Sequence, residues 1–447
     1  MEDTIAAIST ALGVGAISII RVSGTESIEI VNKIFDRDLL KVKSHTINYG
    51  HIIENDEIID EVLVSVMKAP KTFTKENLVE INCHGGISTT NKVLELLLSN
   101  GARLAEPGEF TKRAFLNGRI DLIEADGIMN LIESKTETAR KMSINQLTGS
   151  VSNIIKDIRN AIIKIISNIE VNIDYPEYND IETVTNENIE NDIYEIKDKI
   201  ELTLKNAKNG KIIRDGINIG IIGRPNVGKS SLLNLLLEED KAIVTDIEGT
   251  TRDIVEGKII LNGIVCNIID TAGIRKTDNI VEQIGVNKSF DIIDSSDIVI
   301  LLLNNNEELT EEDKKLLEKI KNKNHIIVIN KIDLDKKIEN ISEEKIEIST
   351  KNQEGIDKLK QKIIEMYNLD KIELNDITYL CNARSISLLV KALEKIEESI
   401  KEIKNNAPID IVELSLKESW DLLGSIIGET YSDELIDEMF ERFCLGK

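Results

Sequence analysis

Aromatic side chains make up only 3% of the 447 residues, with a single tryptophan, so the cores must be aliphatic and a stacking platform for single-stranded bases is not expected. Cysteine is equally scarce. Cys83, Cys266, Cys381 and Cys444 lie far apart, form no Cys-x-x-Cys pair, and only Cys83 has a neighbouring histidine, which argues against a disulfide framework or a zinc site. No apolar run reaches the roughly 18 residues that a membrane span needs, and no basic stretch followed by an apolar one opens the chain. The chain is therefore read as cytoplasmic, without a membrane partner. Positive charge is also in deficit: 55 Lys and Arg against 79 Asp and Glu leave a net charge of −24. Such a balance opposes bulk attraction to phosphate backbones, so contact with nucleic acid requires a local basic patch or a partner's surface.

What remains is a chain that is 41% hydrophobic and 30% charged, long enough for roughly three domains. Short β-rich runs such as Gly15 to Val22 and Glu61 to Met67, with a helical pattern near Thr89 to Ser99, read as a small α+β domain over residues 1–118. Apolar residues at Val151, Ile155, Ile158, Ile162, Ile165 and Ile169 then step by three or four and predict a long amphipathic helix. After an acidic stretch the stripe resumes at Ile193, Ile196, Ile200 and Leu204, and Asn209-Gly210 is expected to stop it. From Ile217 to about Leu369 strands and helices alternate, which predicts a mostly parallel sheet. Helical spacing returns at Leu393, Ile396, Ile400 and Ile403. The predicted fold class is multidomain α/β: the α+β domain, a helical domain in two parts, 119–210 and 371–447, and between them an inserted P-loop domain over 216–370.

The inserted block carries the chemistry. Gly223-Arg-Pro-Asn-Val-Gly228-Lys229-Ser230 fits GxxxxGK[ST], with a strand-like run before it and a helix-like run after it. Backbone N–H groups of such a loop wrap phosphates, Lys229 reaches the outer phosphates and Ser230 is suited to ligate Mg²⁺. The nucleotide-binding set is read as Asn226, Val227, Gly228, Lys229, Ser230 and Ser231; the switch-like Thr245, Asp246, Ile247, Glu248, Gly249, Thr250 and Thr251; Asp270, Thr271, Ala272 and Gly273 at the end of an apolar strand; and Asn330, Lys331 and Asp333 at the end of another. A carboxylate at Asp333 accepts from both the ring N–H and the exocyclic amine of guanine, whereas adenine presents the wrong pattern, so GTP is expected over ATP. Ser349-Thr-Lys351 is suited to the last base-contacting loop, and Thr251 is the expected switch ligand of Mg²⁺.

Where Ras-like GTPases place a water-orienting Gln, directly after the glycine of DxxG, this chain has Ile274, which cannot hydrogen-bond water. Hydrolysis must recruit other groups. Asn226 inside the phosphate loop is a candidate ligand for a monovalent cation, and Glu282 a candidate to position the attacking water. Taken alone, Asn226 also reads as a turn former and Glu282 as a solvated helix charge.

Beyond these motifs, Asp3-Thr4-Ile5-Ala6, Ile19-Ile20-Arg21-Val22-Ser23-Gly24, Val79-Glu-Ile-Asn-Cys-His-Gly-Gly86, Pro107-Gly-Glu-Phe-Thr-Lys-Arg-Ala-Phe-Leu-Asn-Gly-Arg-Ile-Asp-Leu122 and Phe443-Cys-Leu-Gly-Lys447 resemble the MnmE (TrmE) tRNA-modification GTPases, of the TrmE-Era-EngA-EngB-Septin-like superfamily. The resemblance extends over essentially the whole chain. It implies a homodimer joined through the N-terminal domain, acting with the FAD-containing flavoprotein MnmG, in a heterotetramer or larger, to add a carboxymethylaminomethyl group at C5 of the wobble uridine of certain tRNAs. It further implies a potassium-dependent GTPase, with K⁺ at Asn226, Thr245, Ile247 and Thr250, Mg²⁺ at Ser230 and Thr251, and Lys229 and Glu282 as catalytic residues.

The resemblance also implies a bound tetrahydrofolate, in the methylene or formyl form, at Arg21, Glu80, Arg119 and Lys447. Glu80 suits the amidine-like edge of a pterin, and the basic residues suit carboxylate and polar groups. Cys444 lies in the FCLGK tail, but no neighbouring His or cue for a lowered pKa marks it as a nucleophile. Two rival readings stay open at this point: a nucleotide-switched scaffold that leaves the one-carbon chemistry to MnmG, and a ribosome-assembly GTPase that shares the nucleotide motifs.

Overall fold

The computed structural model describes residues 3–174, 186–239, 257–270, 290–338, 341–367, 369, 379–443 and 445–446. Its contacts divide the chain into two units, one of residues 1–129, 152–194 and 391–447, the other of residues 130–151 and 195–390.

In the first unit, alternation of buried and outward side chains, as in Val62–Met67 of the strand Glu57–Met67, produces a two-faced sheet. Its strands are β1 (Ile5–Ile8), β2 (Ile17–Ser23), β3 (Thr46–Glu54), β4 (Glu57–Met67), β5 (Leu78–His84) and the short β6 (Arg103–Leu104), in the order β3-β4-β5-β2-β1-β6. Helices α1 (Ser27–Ile34) and α2 (Ile87–Ser99) cover one face, where Val31, Ile34, Val93 and Leu97 meet Ile20, Val22, Val64 and Ile81. The other face is covered only at one end. There Phe110, from α3 (Glu109–Leu116), joins Ile5, Ala7 and Leu78, whereas Ile17, Ile47, Tyr49 and Leu63 remain exposed farther across the sheet.

The PGEFTKR string is structural in this setting. Arg113 is fully buried and donates to the Asp3 carbonyl (2.9 Å), to Asp3 Oδ1 (2.8 Å), to Glu109 Oε1 (3.0 Å) and to Glu76 Oε2 (3.2 Å). One guanidinium thus fastens the strand entering β1 and the loop before β5. Removing any one carboxylate leaves buried charge less compensated.

Long helices complete the unit: α6 (Ser150–Asp174), α11 (Ala383–Lys404), α12 (Ile409–Ile427) and α13 (Asp433–Phe440). The stripe foreseen along α6 is buried from Val151 to Ile169. Arg159 of α6 lies 3.9 Å over the ring of Trp420 and donates to the Trp420 carbonyl at 3.2 Å, a cation–π clamp out of water. After α13 the chain returns to the sheet, where Ser9 Oγ donates to the Gly446 carbonyl at 3.0 Å.

The second unit holds the sheet β12-β11-β10-β7-β9-β8, made of β7 (Ile217–Ile222), β8 (Gly257–Leu261), β9 (Ile264–Asp270), β10 (Ile298–Asn304), β11 (His325–Asn330) and β12 (Lys345–Glu347). All pairings are parallel except that of the edge strand β8. Residues Ile298–Asn304 are buried throughout, as a strand covered on both faces requires. One core packs α8 (Lys229–Glu239) and α10 (Ile356–Met366) together with Ala139 and Met142 of α5 (Glu137–Leu147); the other includes Leu316 and Ile320 of α9 (Glu311–Ile320). Cys266 lies in the first core, and burial pushes its thiol up to about 12.

One expectation is corrected here. Asn209-Gly210 does not end the helix: α7 (Asn186–Asp215) runs on to Gly216, which has φ +81° and whose N–H bonds the Ile212 carbonyl at 3.0 Å. Gly210 serves close packing instead, because a Cβ there would stand 2.5 Å from the Leu380 carbonyl oxygen. In an exposed helix Gly→Ala gains about 1 kcal/mol. Gly210→Ala is expected to reverse that sign and destabilise by about 1–3 kcal/mol through overpacking, read as a lower urea midpoint at unchanged slope.

Candidate nucleotide and pterin sites

The carboxyl ends of β7, β9 and β11 lie on one edge of the sheet, with β10 between β7 and β11, and bring the separated motifs to where open parallel sheets bind ligands. The loop after β7 leads into α8, whose first two residues are Lys229 and Ser230. Asn226 sits in the left-handed region at φ 64°, exposed, and no hydrogen bond of its side chain is seen among the described residues. Val227 is buried, while Ser230 and Ser231 are exposed on the first turn of α8. Lys229 Nζ donates to the carbonyls of Gly223 (2.7 Å) and Arg224 (2.9 Å), so the ammonium is held inside the curve that phosphates would enter.

Asn330 ties this loop to the base-reading segments. Fully buried, it donates from Nδ2 to the Val227 carbonyl (2.8 Å) and to Thr350 Oγ1 (3.2 Å), and its Oδ1 accepts from Thr350 N–H (3.1 Å). Gly228 must be glycine at this point, since it has φ +104° and a Cβ would lie 2.3 Å from Asn330 Nδ2. Lys331, at φ 66°, reaches back to the Asn226 carbonyl (2.8 Å). Asp333 Oδ1 accepts from the Ser349 hydroxyl (2.7 Å), and that bond holds its carboxyl below the usual carboxylate range, with Lys351 and Lys331 assisting. An ionised carboxylate is therefore presented beside a backbone-lined loop, the combination guanine needs.

Asp270 closes β9 opposite Ile221. Thr245 to Thr251, Thr271 to Gly273, Ile274 and Glu282 lie outside the described residues, as do Cys444 and Lys447.

The second candidate site lies on the partly covered face of the first sheet. Arg21 of β2 and Glu80 of β5 are cross-strand partners, and Arg21 donates to Glu80 Oε1 from Nε (3.0 Å) and Nη2 (2.7 Å). The Arg21 guanidinium stands 5.5 Å from the Phe73 ring centre and 5.6 Å from that of Phe110, and Arg119 lies over Phe73 at 4.7 Å. Two cations, a carboxylate and two rings thus gather where the cover provided by α3 ends. Farther along the same face His84 Nδ1 bonds Asp60 Oδ1 at 2.6 Å. The side chains of Arg21, Glu80 and Arg119 therefore come together; the sequence had not shown that Arg21 would be committed to Glu80.

Two family models cover nearly all of the chain: the N-terminal domain of the GTP-binding protein TrmE matches residues 4–119, and the MnmE helical domain matches residues 122–444. The chain belongs to the MnmE family. It is 52% identical over 450 residues to the tRNA modification GTPase MnmE of Streptococcus thermophilus, covering all of this chain and 98% of that one. It is 50% identical over 455 residues to the protein of the same name from Bacillus cytotoxicus, covering 100% and 99%. Among solved structures, the G domain of the T. maritima FeoB iron transporter is 25% identical, with a TM-score of 0.26 over 34% of this chain and 98% of that domain.

Ser349, expected in the last base-contacting loop, also braces Asp333, and in this family member Phe73 and Phe110, which frame Arg21, were not foreseen as part of that site. Rings on a loop and a helix carry no spacing signal of their own. Asp333→Asn is expected to weaken GTP by about a hundredfold or more, since two charge-assisted hydrogen bonds of about 1.5–3 kcal/mol each are lost, and to improve binding of xanthosine triphosphate. Competition binding with the two nucleotides checks this, and an unchanged preference for GTP removes Asp333 from base recognition.

Proposed function

We propose that this chain binds and hydrolyses GTP in a potassium-dependent cycle, and that the cycle serves C5 carboxymethylaminomethylation of the wobble uridine of certain tRNAs in the cytoplasm, together with an FAD-containing MnmG partner. The observation that carries the nucleotide reading is the Asn330 interlock, which holds the phosphate loop, the Asp333 segment and the Ser349–Thr350 loop in a single hydrogen-bonded set. The tRNA reading is supported by the names of the two relatives, both tRNA modification GTPases.

The described residues fit the groups this reading needs. The exposed Ser230 hydroxyl at the start of α8 suits Mg²⁺, with Thr251 as its second protein ligand. The side chain of Asn226, without a hydrogen bond among the described residues, suits K⁺, with Thr245, Ile247 and Thr250 completing the set. Bound cations supply charge neutralisation to a phosphoryl group in transfer. Lys229 exchanges the carbonyls of Gly223 and Arg224 for the outer phosphate oxygens, and Glu282 orders the attacking water, a task Ile274 cannot perform.

For the tetrahydrofolate, both Arg21 bonds fall on Glu80 Oε1, leaving Oε2 to accept from a pterin's donor edge, while Phe73, Arg119 and the tail residue Lys447 suit the ring and the acidic end. The homodimer would use the uncovered face of the same sheet, where Ile17, Ile47, Tyr49 and Leu63 form an exposed apolar stretch beyond the Arg21–Glu80 pair.

GTP turnover at equal ionic strength is expected to be at least about tenfold faster in K⁺ than in Na⁺, as loss of one stabilising charge on a transition state predicts; equal rates discard the cation role of Asn226. Glu80→Gln is expected to abolish wobble-uridine modification, measured by mass spectrometry of tRNA nucleosides, while GTP hydrolysis continues. Normal modification by that variant favours the scaffold reading, in which the one-carbon chemistry belongs to the partner.

A further inference from the structure

The mechanism assigned above uses the main chain of Arg224 but not its side chain, which is 18% exposed and engages Asp313 and Glu307. Its Nε lies 2.8 Å from Asp313 Oδ2 and 3.0 Å from Oδ1, and its Nη2 donates to Glu307 Oε2 at 2.9 Å. Each carboxylate is itself fixed. Asp313 is buried and accepts from Thr310 N–H (3.0 Å) and from the Thr310 hydroxyl (2.9 Å), closing the capping box at the start of α9. Glu307 accepts from Asn304 Nδ2 at 2.6 Å, and Asn304 is the last residue of β10.

We infer that Arg224 is a positioning residue for GTP binding, a strut that fixes the entry of the phosphate loop to the end of β10 and the cap of α9. The reasoning runs through the backbone. Residue 224 follows Gly223 directly and opens the loop that leads into α8, so an untethered residue 224 would free the near end of the backbone that is to wrap the phosphates. The loop is gripped from its other side by Asn330 at Val227. Between these two anchors lie only Pro225 and Asn226, the latter also held at its carbonyl by Lys331, so the curvature of the loop depends on fixing both of its ends. Such preorganisation lowers the entropy that phosphate binding must remove. Arginine is required because two carboxylates on different segments are engaged by one planar fork, which a lysine ammonium matches with at most a looser geometry.

The inference goes beyond the GTPase reading but rests on it, and the test separates the two. Full-length Arg224→Gln, Arg224→Lys and Glu307→Gln proteins are compared with the unaltered chain for fluorescent GTP-analogue binding, steady-state hydrolysis and thermal unfolding. Loss of one charge-assisted contact predicts that Arg224→Gln raises Kd and KM for GTP about tenfold or more while kcat at saturating nucleotide stays within about twofold. Arg224→Lys should recover part of that loss, and Glu307→Gln, which keeps a hydrogen bond acceptor, should raise KM by less than Arg224→Gln. A purely architectural arginine would instead lower the active fraction, and so kcat, in step with the unfolding temperature, with KM unchanged; that result overturns the inference. So does a KM within twofold of the unaltered chain in both Arg224 variants. If the unaltered chain binds no GTP at all, the GTPase reading itself fails and the strut with it.

Discussion

A buried side-chain amide governs the nucleotide site. Asn330 is the only point at which the phosphate loop, the base-reading strand end and the loop after β12 are seen to share hydrogen bonds among the described residues, and every polar atom of its amide group is engaged. Because the group is fully buried, losing any partner carries the cost of an unsatisfied polar atom rather than that of an exchanged bond, about 1–3 kcal/mol. The loops therefore keep their mutual register without a ligand. That register fixes the loop that carries Lys229 relative to the segment that carries Asp333.

The first unit solves a different problem with similar means. Its sheet is closed on one face by α1 and α2 but only partly on the other, and the ion pair of Arg21 with Glu80 marks the border between dry and exposed surface. A pair placed there is neither fully desolvated, where it would be costly, nor fully solvated, where it would be worth little. Rings at Phe73 and Phe110 stand within 5.6 Å of the guanidinium. The result is an oriented carboxylate next to apolar surface, a setting suited to a flat heteroaromatic ring with donor groups on one edge.

The sequence displayed much of this and concealed the rest for identifiable reasons. Strands β7, β9 and β11 were legible because they are covered on both faces, which leaves near-continuous aliphatic runs ended by a motif. The long helix α6 was legible from its isoleucine spacing. The end of α7 was not: Gly210 looks like a stop signal, yet its missing Cβ accommodates a carbonyl from a segment 170 residues away, which local pattern cannot reveal. The cradle around Arg21 was hidden for the same reason, since Phe73 and Phe110 come from a loop and a helix with no fixed spacing to β2. Arg224 was visible only as a variable position inside GxxxxGK[ST], because its partners Glu307 and Asp313 lie more than eighty residues onward.

The bond from Ser9 to the Gly446 carbonyl joins positions 437 residues apart, and Gly446 sits so close that a Cβ would lie 2.4 Å from the Ile8 oxygen. A ribosome adding about 5–20 residues per second needs roughly 20 to 90 s to make the intervening chain. Throughout that interval the end of β1 must wait without its closing segment, so the first sheet reaches its final form in two stages: an early core and a late seal.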